Sequence, residues 1–259
     1  MRERRSTAWE RTPRARRVCL LILLFFAAVG RSLSAGAESY LYRATLVQAA
    51  PGKLLDLIDT YKAFFPALAA SGDEPPIWMR HSQGDRWDLL LLFPMESYAE
   101  FFRSERIARR RTEASSAARI QAKLRENTAW QEDVFVEGPP LKELRGRAEK
   151  AGFFHVEMFE VLPGRHGDLR REREMENAYL KRLGRPENAI FVRESGAAWD
   201  LFTVGFYRDL KHYAESADIP ESDQESAARA AGFESARVIG PYLRSFIHQH
   251  HDTLAIAVK

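Results

Sequence analysis

The stretch from Pro51 to Leu89 matches, without gaps, the stretch 112 residues further on. Pro51-Gly52-Lys53 falls on Pro163-Gly164-Arg165, and Asp56-Leu57 falls on Asp168-Leu169. Gly84 falls on Gly196, and Trp87-Asp88-Leu89 falls on Trp199-Asp200-Leu201. A Trp-Asp pair kept in register with a Pro-Gly marks one structural unit used twice. Whatever fold is assigned must hold two copies of it.

Each copy reads in the same order. An alternating or apolar run comes first, Tyr40–Ala49 and then Phe153–Leu162. After the Pro-Gly comes a helical stretch, Lys53–Ala70 and then Asp168–Leu183, with proline where a helix start tolerates it. Two strands around a glycine follow, Ile77–Ser82 with Arg86–Phe93, and Ala189–Ser195 with Ala198–Phe206. A second, interrupted helical region spans Glu96–Glu126 and Leu210–Gln249. A last strand closes each copy, Gln131–Glu137 and His251–Val258.

The order β-α-β-β-α-β is that of a ferredoxin-like unit, whose antiparallel sheet carries helices on one face only. The second copy is the natural cover for the other face. The expected fold is α+β: two tandem ferredoxin-like units packed sheet to sheet as a pseudo-dimeric barrel. The expected boundaries are a signal peptide at 1–37, repeat 1 at 38–138, a linker at 139–152 and repeat 2 at 153–259. This pattern resembles the dimeric α+β barrel superfamily, and Pro-Gly-Lys after the first strand is similar to NIPSNAP-type domains. The wider group includes antibiotic-biosynthesis-type monooxygenases, EthD-like proteins and haem enzymes related to chlorite dismutase. Functions in that group are mixed, so the resemblance implies a fold and no single activity.

Residues 1–37 hold eight arginines against two glutamates. The rest of the chain has 31 Lys+Arg against 34 Asp+Glu, so the formal charge of +3 belongs to the front alone. Arg2 to Arg17, the apolar run Val18–Gly30 and Ala35-Gly36-Ala37 have the three parts of a secretory signal. The expectation is export, to a periplasm or the exterior, with no membrane span left after cleavage. Cys19 is the one cysteine, so the remaining chain forms neither disulfides nor thiolate metal sites. A slightly acidic body gives no electrostatic reason to bind nucleic acid.

The strand period of two separates two faces. Tyr42, Ala44 and Leu46 match Phe154, Val156 and Met158, an apolar face expected to pack on the helices. Arg43, Thr45 and Val47 match His155, Glu157 and Phe159, a mixed face expected to look into the space between the sheets. There His155 and Glu157 form a candidate catalytic pair, since a carboxylate beside an imidazole raises its basicity. Arg43 is the candidate anion anchor, with Thr45, Phe159, His81 and Arg193 as further ligand-binding positions. The alternatives are a buried hydrogen-bonded pair at His155 and Glu157, and an Arg43–Glu157 ion pair across the barrel.

Trp87 and Trp199 read as core aromatics, and Asp88 and Asp200 as acceptors for backbone donors near the turn. In His248-Gln249-His250-His251-Asp252 only His250 and Asp252 share a strand face, so no metal site is assigned and these two are the residues it would need. Arg103–Arg111 reads as a solvated helix face, and Ala217–Gln224 as a polar loop. No cofactor is expected, with haem on a single histidine the lesser alternative.

Three functions stay open: binding of a small organic molecule between the sheets, a cofactor-free oxygenase or isomerase using His155 and Glu157, and a structural or protein-interaction module with a packed barrel. Self-association is also left open.

Overall fold

The computed structural model of the chain describes residues 40–258; the expected signal peptide lies outside the described residues. β1 (Tyr40–Ala49) ends at the first Pro-Gly and hands over to α1 (Leu54–Ala70). A hairpin of β2 (Ile77–Gln83) and β3 (Leu89–Glu96) follows. Then come α2 (Tyr98–Phe101), α3 (Ser104–Ser116), α4 (Ala118–Glu126) and β4 (Thr128–Gly138). The connecting segment holds α5 (Leu141–Ala148). The order then repeats with β5 (Phe153–Val161), α6 (His166–Arg182), β6 (Ala189–Ser195) and β7 (Leu201–Tyr207). It continues through α7 (Leu210–Ala214), α8 (Glu221–Ala231) and α9 (Ile239–Arg244) to β8 (Ile247–Ala257).

The eight strands close into one antiparallel, ferredoxin-like α+β barrel in the order β1-β3-β2-β8-β5-β7-β6-β4. The sheets are therefore not stacked as two open layers. They join edge to edge, with Met79 opposite Ala257 on one seam and Val136 opposite Arg193 on the other. Open strand edges invite foreign pairing, and closure removes them.

The 112-residue offset persists in three dimensions. Arg43 pairs with Phe93 as His155 pairs with Gly205, and Thr45 with Leu91 as Glu157 with Thr203. Asp88 Oδ2 accepts from Ala49 N at 2.8 Å, and Asp200 Oδ2 accepts from Val161 N at 2.8 Å. Both aspartates thus satisfy backbone donors at the end of the first strand, as the sequence suggested. Gly84 and Gly196 have φ of +126° and +92°, and each packs on the last strand of the opposite half. A Cβ on Gly84 would run into the Asp252 carbonyl, and one on Gly196 would lie 2.9 Å from the Asp133 carbonyl.

The expected faces are inverted. Tyr42, Ala44, Leu46, Phe154, Val156 and Met158 fill the barrel with Trp87, Trp199, Phe191 and Phe202. Phe191 stacks on Phe202 at 4.5 Å, and Tyr42 meets Phe191 edge-on at 5.7 Å. The helices lie outside: α1 packs Leu57, Ile58 and Tyr61 on Val47, Leu89 and Leu91, and α6 packs Leu169 near Phe159 and Leu201. Both faces of β1, β3, β5 and β7 are largely covered, so alternation could not say which cover was which. The purely apolar face is the lumen because strands from both halves converge there and each buried chain stabilises by about 1.5–3 kcal/mol.

Two further expectations change. Arg106 and Arg110 on α3 turn inward onto Asp73, at 2.7 and 2.6 Å, so the basic run is not a wholly solvated face. The stretch 217–224 is not a loop, since a 3-10 turn (Glu215–Asp218) and the start of α8 occupy most of it.

Gly84→Ala is expected to lose more than about 2 kcal/mol, because left-handed strain of roughly 1–2 kcal/mol adds to displacement of β8. Gly146→Ala in α5, where a Cβ meets nothing within 4 Å, is expected to gain about 0.5–1 kcal/mol. Urea unfolding of the two variants measures the contrast.

Candidate functional site

Four positions one or two helical turns apart, Leu169, Glu172, Arg173 and Glu176, share the face of α6 that meets the sheet. Their counterparts on α1 are Leu57, Thr60, Tyr61 and Phe64. One half thus keeps a largely apolar helix–sheet contact where the other buries three ionisable side chains. Glu172 and Arg173 are 0% and 2% exposed, which costs free energy unless each charge is paired.

The pairing is dense. Arg173 Nε and Nη2 donate to Glu172 at 2.6 and 2.9 Å, and Nη1 lies 2.5 Å from Glu176 and 3.4 Å from Glu157. Thr203 Oγ1, on β7, donates to Glu157 Oε2 at 3.1 Å. On β8, opposite Glu157, stands Asp252. Its two oxygens lie 3.1 Å from His155 Nε2 and 3.1 Å from His250 Nε2. Phe159 forms the apolar floor, with His250 stacked on it at 5.9 Å and the Arg173 guanidinium over it at 5.1 Å. Tyr213 closes one side, its ring 5.4 Å from that of His155. Asp252 is half-exposed, so solvent reaches the cluster from the β8 side.

Burial disfavours protonated His155, but its hydrogen bond to Asp252 and the charge of Glu157 outweigh it and raise its pKa. The same hydrogen bond, against burial, holds Asp252 below the usual carboxylate range. Burial pushes Glu176 up to about 7, with Arg173 opposing and Glu157 and Glu172 adding to the rise. Burial likewise raises Glu172 despite its bonds to Arg173. His155, Glu172 and Glu176 thus hold their protons more tightly than free groups do, and Asp252 less tightly.

The structure brings together His155, Glu157, Phe159, His250 and Asp252, on the outer face of the barrel and not inside it. Arg43 and Thr45 take the equivalent place in the first half, far from the pair. Thr45 Oγ1 donates to Asp133 at 2.5 Å, and Arg43 lies 3.8 Å from the same carboxylate. The expected Arg43–Glu157 ion pair is therefore replaced by two separate partnerships, because the lumen between them is filled. His81 and Arg193 continue the lumen-facing rows of β2 and β6: the His81 ring lies against Trp87, and Arg193 pairs with Asp200. Neither joins the cluster. The lumen is lined by the aromatic and aliphatic side chains named above, and neither His155 nor Glu157 faces it. The charged stripe of α6 was missed in the sequence, although its i, i+3, i+4, i+7 spacing announces it.

Donor atoms of His155, Glu157 and Asp252 lie within 4.8 Å of one another, a spacing that a divalent cation could draw in. Arg173 already holds Glu157. The imidazole that would ligate a haem iron is engaged by Asp252 at 3.1 Å, and the Tyr213 ring stands 5.4 Å from it.

The closed α+β barrel with helices outside is a fold this chain shares with solved structures. An anthrone oxidase-like protein aligns over 88% of this chain and 94% of its own, at 13% identity and a TM-score of 0.55. A monooxygenase-like protein of Lactobacillus acidophilus aligns over 85% of this chain and 94% of its own, at 6% identity and a TM-score of 0.52. A chlorite dismutase-like protein aligns over 85% and 95%, at 11% identity and a TM-score of 0.45, too remote to bear on haem. No protein-family profile and no curated protein sequence matches the chain.

Glu176 and His155 both bind protons more tightly when folded than unfolded. Their stabilisation is present below the unfolded values and is lost as pH rises through the folded ones. Thermal stability is expected to fall between pH 5 and 8, and Glu176→Gln to flatten the fall by on the order of 3 kcal/mol. Unfolding curves at stepped pH measure this; parallel curves for the two proteins would contradict it.

Proposed function

We propose that the chain is an acid–base enzyme of the cofactor-free oxygenase or isomerase type. His155 is the base, Asp252 orients it, and Glu157 stabilises its protonated form. The observation that carries this reading is the hydrogen-bonded His155–Asp252 pair beside a buried ionisable network, at positions where the other half keeps an apolar contact. The carboxylates outnumber Arg173, so the site favours a neutral or cationic small organic substrate with a weakly acidic C–H or O–H bond. His155 takes the proton; the resulting anion is reprotonated at another atom or oxidised by dioxygen.

Deuterium exchange into a panel of neutral phenols and 1,3-dicarbonyl compounds tests the proton step. The native protein is expected to exceed buffer, and His155→Ala to lose about 10²–10⁴-fold, the usual contribution of a general base. Exchange at the buffer rate throughout, or a stoichiometric divalent metal in the purified protein, would overturn the reading. Oxygen uptake separates the oxygenase from the isomerase.

Two matters of origin go with it. We read the barrel as two ferredoxin-like units in tandem, supported by the matching strand orders and registers; the NIPSNAP-type likeness rests on Pro51-Gly52-Lys53 alone. We also read residues 1–37 as an export signal. N-terminal sequencing of the mature protein from extracytoplasmic fractions should find a start at Glu38, and recovery of the whole chain in the cytoplasm would contradict it.

A further inference from the structure

Beneath α1 and α3 in the first half lies a cavity of about 280 Å³. Phe64 and Leu68 of α1, Phe93 of β3, Phe101 of α2 and Ala117 beyond α3 make its walls largely apolar, and Arg43 of β1 lines its floor. It occupies the same helix–sheet layer that the charged cluster fills in the second half. The volume is room for one or two fused rings or a short alkyl chain.

The polar groups around it are not equally committed. Asp73 takes Arg106 through Nε at 2.7 Å and Arg110 through Nε and Nη2 at 2.6 and 2.9 Å. Glu74 takes Arg145 at 2.6 Å, and Glu113 on α3 has a contact of its own. Arg43 differs. Its guanidinium rests over the Phe93 ring at 4.6 Å. Asp133, 3.8 Å away, is beyond hydrogen-bond reach and already accepts from Thr45 at 2.5 Å and Gln131 at 2.9 Å. Its Nε is shielded from solvent and has no hydrogen-bond partner. A shielded donor without a partner costs about 1–3 kcal/mol, and a charged acceptor recovers more than a neutral one.

We propose that this cavity binds a small apolar carboxylic acid, its ring or chain between Phe64, Leu68 and Phe93 and its carboxylate on Arg43. The site is separate from the acid–base cluster. Guanidinium and carboxylate match in geometry, and the apolar walls would take the ring or chain.

2-Naphthoate and its neutral carboxamide are the probes, titrated calorimetrically into the purified protein. Naphthoate is expected to bind at least 10-fold more tightly than the amide. Arg43→Gln should weaken naphthoate about 10- to 100-fold, the effect of one charge-assisted hydrogen bond, and bring it level with the amide. Arg43→Lys should recover part of the loss. Ala67→Phe, which fills the cavity from α1 and keeps the Arg43 charge, should abolish binding of both probes. His155→Ala should leave both unchanged, and all variants should unfold near the native temperature. Equal affinity for the two probes, unchanged binding in Arg43→Gln or Ala67→Phe, loss of binding in His155→Ala, or no binding at millimolar probe would overturn the assignment.

Discussion

The two seams of the barrel, β2 against β8 and β4 against β6, are the constraint on which the rest stands. Either half alone would leave two bare strand edges and one uncovered apolar face. The seams satisfy the edges, and the lumen they enclose is filled by Tyr42, Phe154, Phe191, Phe202 and the two tryptophans. With the lumen full, Arg43 and Thr45 of β1 and His155 and Glu157 of β5 point outward, toward the helices. The location of both sites follows from that closure.

Much of the fold could be read in the chain. The repeat, the Pro-Gly turns, the hairpin glycines and the strand-capping aspartates each have a local physical cause, so they show in the local sequence. The side of the sheet did not, because Tyr42 and Val47 are equally buried by different covers. His155 and Glu157 were recognised as a pair from strand spacing, yet placed in the lumen. Their third member, Asp252, sits nearly a hundred residues away and joins them only through strand pairing. Glu172, Arg173 and Glu176 were legible by helical period but hidden by composition, since a charged helix is ordinarily taken for a solvated one.

The halves have diverged in opposite directions within one layer. The first keeps Thr60, Tyr61 and Phe64 and leaves a cavity with a loosely paired guanidinium. The second replaces that surface with Glu172, Arg173 and Glu176 and fills the space with paired charge. Removing one partner of a buried charge is costly, so the second layer tolerates little change, while the first has room to admit a guest.

Asp252 belongs to both seam and site. Its carboxylate orients His155, while its carbonyl lies where a side chain on Gly84 would have to go. A turn in one half therefore sets the position of a functional group in the other. In a mutational landscape the two residues will not behave independently: the tolerated choices at the hairpin are narrowed by the chemistry of a site that it never touches, and the halves must evolve as one unit.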